Sequence, residues 1–127
     1  MDADRECPDD VYNVHIVAFV SAFVLRNHRD RWRQLLSMRP KQLLKNSHKL
    51  YNHLDKSKCS ESSDYAVLAP ATVGMFCDFH AASPPLLLTG QRAIELGRGH
   101  DALFSIIPGK LAVYFFHEDI SIVCRSK

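Results

Sequence analysis

The segment YNVHIVAFVSAFVL, residues 12–25, constrains the fold most, because apolar side chains recur on both sides of the helix that it predicts. One apolar stripe at helical spacing continues downstream through Trp32 and Leu36, and the opposite stripe stops at Phe23. A helix that is apolar on every side has to be covered on every side. We therefore expect residues 12–25 to be shielded from water in all directions, by the rest of the fold or by a second copy of the chain.

Two sets of side chains define these stripes on a helix predicted from about Val11 to Ser37, with Asp9 or Asp10 as its N-cap. The first set, interpreted as the core face, comprises Val14, Val17, Ala18, Ser21, Leu25, His28, Trp32, Leu35 and Leu36. The second set, interpreted as a homodimer interface, comprises Tyr12, Ile16, Phe19, Val20 and Phe23. A small domain has limited material to cover both stripes, which favours self-association.

A second amphipathic helix is predicted from Pro40 to about Leu54, because proline is tolerated in a first helical turn and leucines recur at helical spacing. The two helices should form an antiparallel hairpin joined near Met38–Arg39. The polar residues 55–64 are predicted to be a loop between this helical half, about 11–54, and a mixed half, 65–127. At 127 residues, the chain is expected to form one domain.

The C-terminal segment carries the clearest strand pattern: ALFSII, KLAVYFF and ISIVCR predict a three-stranded meander with turns at Pro108–Gly109 and HED. Upstream, Gly74–Phe79 predicts a strand, and Thr89 is expected to cap a short helix that ends at Gly97. Residues 65–73 fit either a short strand or a helical turn. The predicted fold class is α+β: an N-terminal antiparallel helical hairpin packed on a small, mostly antiparallel sheet that ends in the meander.

Positive charge is concentrated between Arg26 and Lys58, where ten basic residues occur with two acidic ones although the net charge of the chain is +2. Basic side chains on adjacent helices can bind phosphates and release counterions. The candidate anion-binding residues are Arg26, Arg29, Arg33, Lys41, Lys45 and Lys49. A polyanion or nucleic acid is therefore the alternative ligand class, although no helix-turn-helix, zinc-finger or RNP pattern accompanies these residues.

Asp78 and His80 are the weak catalytic candidates. In the segment CDFH these two residues share one face of the predicted strand, so Asp78 could orient His80 as a general base. The chain has no zinc-site spacing, no catalytic serine motif and no paired catalytic carboxylates at readable spacing. We therefore expect neither a metal nor a cofactor, and we favour binding over catalysis.

The four cysteines, Cys7, Cys59, Cys77 and Cys124, form no C-x-x-C motif, and the acidic N-terminus differs from the basic start of a signal peptide. We interpret them as reduced thiols in a cytoplasmic protein. The apolar run 14–25 is shorter than the about 20 residues of a membrane-spanning helix, so no membrane partner is expected. The sequence thus predicts a small soluble domain that acts as a homodimer in non-enzymatic binding or protein interaction.

Overall fold

A computed structural model of the chain describes residues 5–37, 47–62, 72–79, 84–116 and 120–126. The helices of this part are α1 (Asp9–Phe23), α2 (Arg29–Ser37), α3 (Ser47–Asn52) and α4 (Gly90–Gly97), with a 3-10 turn at Arg26–His28. The strands are β1 (Arg5–Glu6), β2 (Cys59–Ser62), β3 (Val73–Asp78), β4 (Leu86–Thr89), β5 (Ala102–Ile107), β6 (Leu111–Phe116) and β7 (Ile120–Arg125). Among these helices, none has the length and apolar character that a bilayer crossing requires.

The strands form one sheet in the order β1-β4-β3-β5-β6-β7-β2, and each neighbouring pair is antiparallel. The predicted meander is present as β5, β6 and β7. Three strands lie outside the predicted elements: β1 precedes the first predicted helix, β2 falls in the segment expected to be a polar loop, and β4 immediately precedes the predicted helix at Thr89. The predicted α+β class with a mostly antiparallel sheet is confirmed.

The N-terminal helical hairpin is also present, but α1 and α2 form it within the segment predicted as one helix. The Tyr12 hydroxyl, near the start of α1, donates a 2.6 Å hydrogen bond to the Leu36 carbonyl, near the end of α2, so the two helices are antiparallel. The predicted joint at Met38–Arg39 lies outside the described residues.

The chain leaves the helix at Val24 and Leu25, which both adopt extended backbone conformations. Val24 forms an isolated antiparallel bridge with Leu54, and the Leu25 amide donates a 2.8 Å hydrogen bond to the His53 carbonyl. No proline or glycine marks this position in the sequence. Backbone pairing with a distant segment stabilises the break, and local helix propensity cannot predict such pairing.

The two faces of α1 are reversed relative to the prediction. The residues predicted as a homodimer interface are buried in the core of the same chain: Tyr12, Ile16, Phe19, Val20 and Phe23. Val14 and Val17, predicted as core, are 59% and 52% exposed, so the chain itself does not cover this face of α1. Aromatic side chains bury more apolar area than valines, and burying the aromatic face therefore stabilises the fold more. Trp32 and Leu36 are buried as predicted, because the break lets α2 orient independently of α1.

Both faces of the sheet carry apolar side chains, since side chains alternate along a strand. On one face, α1, α2 and α3 cover a cluster that includes Leu103, Tyr114 and Ile122. On the other face, α4 covers a second cluster centred on Phe104 and Phe115. The predicted cap of α4 is confirmed: Thr89 Oγ1 accepts a 3.3 Å hydrogen bond from the Arg92 amide.

Candidate functional site

An open pocket of about 480 Å³ lies at the end of the β2–β7 ladder. Its lining residues are Ser57, Lys58, Arg125 and Ser126. Lys58 immediately precedes β2 and Arg125 ends β7, and the Arg125 amide donates a 3.0 Å hydrogen bond to the Lys58 carbonyl. The strand pairing therefore brings two cationic side chains to one open pocket.

The loop from Asp55 to Lys58 forms one wall of the pocket and is attached to the end of α1. The Asp55 amide donates a 2.7 Å hydrogen bond to the Phe23 carbonyl, and Lys58 Nζ donates a 3.1 Å hydrogen bond to the Ala22 carbonyl. Asp55 Oδ1 accepts hydrogen bonds from the amide and the hydroxyl of Ser57, at 3.0 and 2.7 Å. These bonds, reinforced by the positive charge of Lys58, lower the pKa of Asp55 below its usual 3.8. Asp55 is therefore a carboxylate at neutral pH, and its charge partly offsets that of Lys58.

The opposite wall is attached to the turn between β5 and β6. The Ser126 hydroxyl donates a hydrogen bond to the Gly109 carbonyl, and the Ser126 amide donates one of 3.0 Å to the Lys110 carbonyl. The hydroxyl hydrogens of both pocket serines thus have acceptors within the protein. An anion in the pocket would be bound by the charged side chains of Lys58 and Arg125 rather than by these hydroxyl groups.

Cys59 and Cys124 lie directly opposite each other in the two strands that end at this pocket. A hydrogen bond from the Cys124 thiol lowers the pKa of Cys59 below its usual 9.0, and the same bond together with burial raises the pKa of Cys124 well above it. Cys59 is 6% exposed, whereas Cys124 is fully buried. The pocket therefore adjoins a pair of hydrogen-bonded thiols, both in buried residues, of which Cys59 is the less completely buried.

Of the predicted catalytic pair, Asp78 ends β3, and His80 lies outside the described residues. Asp78 Oδ2 is 3.0 Å from Nδ1 of His100, which belongs to the loop between α4 and β5. The His100 amide donates a 3.0 Å hydrogen bond to the Gly97 carbonyl, and Gly99 has a φ of +78°, a conformation that favours glycine. Asp78 thus joins the end of β3 to this loop, and catalysis by Asp78 and His80 remains a prediction.

The predicted basic surface is described only in part. Arg29 Nε donates a 2.8 Å hydrogen bond to the Val24 carbonyl at the break between α1 and α2, and Arg33 forms a 2.7 Å ion pair with Asp30. Arg26 is exposed in the 3-10 turn. Lys41, Lys45 and the side chain of Lys49 lie outside the described residues. Arg29 therefore has a structural contact, and polyanion binding by this surface remains a prediction.

A buried polar contact between α1 and β5 was not expected from the sequence. Nδ1 of His15 is 2.6 Å from Oγ of Ser105. Burial lowers the pKa of His15 below its usual 6.5. Ser105 is 1% exposed, so its hydroxyl cannot meet a substrate as a nucleophile, and the contact positions α1 on the sheet.

The fold and the pocket together define a small α+β domain in which a cationic pocket adjoins a thiol pair at one end of an antiparallel sheet. Comparison of the chain with protein-family models, with curated proteins and with solved structures gives no match. The sequence carries one local signal for the site, since basic residues flank both cysteines in KSKC and CRSK. Only the pairing of β2 with β7 brings these two segments together.

Proposed function

We propose that the protein is a non-enzymatic binding domain for a small anionic ligand, held in the pocket between Lys58 and Arg125. The observation that carries the proposal is that Lys58, immediately before β2, and Arg125, at the end of β7, line one open pocket of about 480 Å³. Carboxylate or phosphate groups form charge-assisted hydrogen bonds to such side chains, and arginine binds them in a bidentate manner.

The charge around the pocket also favours an anion. Lys56 and Lys58 both lie close enough to Cys59 to stabilise its thiolate, and Asp55 is the carboxylate that opposes them. With Arg125, these residues give three positive charges against one negative charge. A positive field of this kind attracts anions and weakens as salt is added.

An amide chemical-shift titration with inorganic phosphate, repeated with citrate as a carboxylate probe, tests the proposal. We expect saturable shifts at residues 57–58 and 125–126. Lys58→Gln and Arg125→Gln should each weaken binding about tenfold, roughly 1.4 kcal/mol, because each removes a charge-assisted hydrogen bond. Arg92→Gln is the matched control, since Arg92 pairs with Glu95 on α4, across the sheet from the other helices. Shifts spread over all basic residues, or an equal loss in the control, would exclude the pocket.

A second candidate function is self-association through an exposed apolar corner where α1 meets the β5–β6 turn. The corner consists of Val14, Val17 and Ile107, which are 59%, 52% and 48% exposed. A Cβ at Gly109 of the turn would lie 3.3 Å from Cβ of Ala18 in α1, so the helix passes close to the turn that follows β5. A second copy is the partner that this corner fits, because a two-fold axis places the same apolar surface on both sides of the interface.

Sedimentation velocity over a concentration series tests the second candidate. Three side chains fall short of the roughly 800 Å² per partner of a stable interface, so we expect weak association in the range of tens to hundreds of micromolar. Val14→Asp and Val17→Asp should abolish it, whereas Ser21→Asp, also exposed on α1, should leave it unchanged. A monomer at every concentration removes this candidate and leaves anion binding unaffected.

A further inference from the structure

We propose that Cys59 and Cys124 form a reversible disulfide between β2 and β7, by exchange with a small disulfide. The two residues are paired in register, and the hydrogen bond from the Arg125 amide to the Lys58 carbonyl makes theirs a non-hydrogen-bonded pair. The Cα atoms of such a pair lie about 4.5 Å apart, and a disulfide accepts Cα separations of roughly 4.4–6.8 Å. The two strands therefore already have the spacing that the bond requires.

The other two cysteines lack this geometry. The Cys7 amide donates a 2.8 Å hydrogen bond to the Pro85 carbonyl, which places Cys7 beside Pro85 at the end of the β1–β4 pair. Continuation of the β3–β4 register places Cys77 beside the same proline from the other side. Two strand spacings, about 9.5 Å, then separate Cys7 from Cys77, beyond the about 7 Å at which a disulfide can form. Cys59 and Cys124 are the cysteines that face each other across a single strand pair.

The environments of the two thiols set the order of the reaction. Cys59 lies in β2, at the end of the sheet order, and is 6% exposed, while Cys124 is fully buried in the neighbouring strand. The Cys124 hydrogen bond, with smaller effects of Lys56 and Lys58, favours the Cys59 thiolate and outweighs the opposing effects of burial and the Asp55 charge. The thiolate is the attacking form in exchange. An incoming disulfide therefore reacts with Cys59, and Cys124 is the resolving thiol.

The exchange proceeds in two balanced steps. The Cys59 thiolate attacks one sulfur of the small disulfide, which forms a mixed disulfide and expels the first small thiolate. Cys124 then gives its proton to the departing small thiolate and attacks Cys59 Sγ, which forms the Cys59–Cys124 bond and expels the second small thiolate. The protein is oxidised by two electrons and releases two protons, and the small disulfide is reduced to two thiols. Excess small thiol reverses both steps.

The pocket gives this exchange a preference for anionic disulfides, and this part of the inference rests on the proposed function. Lys58 precedes Cys59 and Arg125 follows Cys124, and both line the pocket, so the positive field that would hold an anion also acts at the Cys59 thiol. Oxidised glutathione carries carboxylates that can occupy the pocket. Hydroxyethyl disulfide is neutral and has no such group.

The experiment treats the folded, reduced protein with hydroxyethyl disulfide, blocks free thiols and measures intact mass and linked peptides. We expect a loss of two hydrogens and a peptide link between Cys59 and Cys124, both reversed by excess dithiothreitol. Cys124→Ser should instead retain the mixed disulfide on Cys59, and Cys59→Ser should not form the internal bond. Cys7→Ser is the matched control, since Cys7 is also 6% exposed but stands about two strand spacings from Cys77, and it should behave as the unmodified chain does.

Trp32 fluorescence reports whether each variant is folded, and Cys124→Ala replaces Cys124→Ser if the serine variant unfolds. The disulfide is overturned if the folded protein does not lose two hydrogens, or if the link joins any other two cysteines.

With oxidised glutathione, we expect exchange about three- to tenfold faster than with hydroxyethyl disulfide, after each rate is scaled to the rate of the same disulfide with a free thiol. Lys58→Gln and Arg125→Gln should remove this advantage. If the bond forms with both probes at equal scaled rates, the disulfide stands and the anion pocket falls, so the two failures are distinguishable.

Discussion

Trp32 Nε1 donates a 2.9 Å hydrogen bond to His53 Nδ1, which joins α2 to the turn after α3 across 21 positions of the chain. The imidazole of His28 stacks on that of His53, with 3.6 Å between ring centroids and 4° between the ring planes. The His53 carbonyl in the same turn accepts a 2.8 Å hydrogen bond from the Leu25 amide. The reversal between α1 and α2 is therefore fixed by a segment that follows α3.

Replacement of His53 should weaken this reversal. His53→Ala removes the acceptor of the Trp32 indole and the stacking partner of His28, so we expect the free energy of unfolding to fall by about 1–3 kcal/mol. His53→Asn should lower the free energy of unfolding by less than His53→Ala does, because the asparagine side-chain oxygen can accept a hydrogen bond from the indole. Urea unfolding followed by Trp32 fluorescence measures both. Equal losses in the two variants would show that the indole hydrogen bond contributes nothing.

Substitutions on the two faces of α1 should have very different effects. Phe19 is fully buried and Val17 is 52% exposed. We expect Phe19→Ala to cost about 3–5 kcal/mol of unfolding free energy, and Val17→Ala less than about 0.5 kcal/mol. Phe19→Leu, a smaller change, keeps the comparison measurable if Phe19→Ala does not fold. Urea denaturation gives the values, and a larger effect at Val17 than at Phe19 would contradict the burial of the aromatic face.

The free energy of unfolding should decrease at acidic pH because of His15. Burial lowers its pKa in the folded protein below the usual 6.5, so below that pH the unfolded chain binds a proton that the folded chain does not. The unfolding free energy should therefore decrease as the pH falls below about 6.5, by at most about 1.4 kcal/mol per pH unit from this one group.

His15→Gln should remove this contribution to the pH dependence, which urea denaturation at about pH 7.5 and about pH 5 measures. Ser105→Ala is the companion variant, since it removes the partner at 2.6 Å but leaves the histidine in place. It should lower stability by about 1 kcal/mol at both pH values and keep the acid dependence. An unchanged pH slope in His15→Gln would show that another group is responsible.

Two glycines beside α4 should respond to alanine for different reasons. A Cβ at Gly97 would lie 2.7 Å from Cδ2 of Phe115, so Gly97→Ala forces the ring to move and should cost about 1–3 kcal/mol. Gly99 has open space around it but a φ of +78°, so Gly99→Ala should cost only the backbone strain, about 1 kcal/mol. Thermal denaturation of both variants checks the order. A less stable Gly99→Ala protein would indicate that the Phe115 ring relaxes freely.

The candidate site was only partly readable in the sequence. The segments KSKC and CRSK each place basic residues beside a cysteine, and their similarity is visible without a structure. Their meaning depends on the pairing of β2 with β7, which joins residues more than sixty positions apart. The basic surface predicted from the sequence includes Arg29 instead, whose Nε donates a hydrogen bond to the Val24 carbonyl.

Local periodicity by itself determined the α+β class, the meander of β5–β7, the strand β3 and the Thr89 cap of α4, because side-chain spacing and capping act over a few residues. Only the tertiary structure decided which face of α1 is buried, where the helix breaks at Val24–Leu25, and that β2 forms a strand. Two apolar faces of one helix compete for the same sheet, and the face that buries more area is favoured. The break and β2 depend on backbone hydrogen bonds with partners far along the chain, and no local pattern encodes those partners.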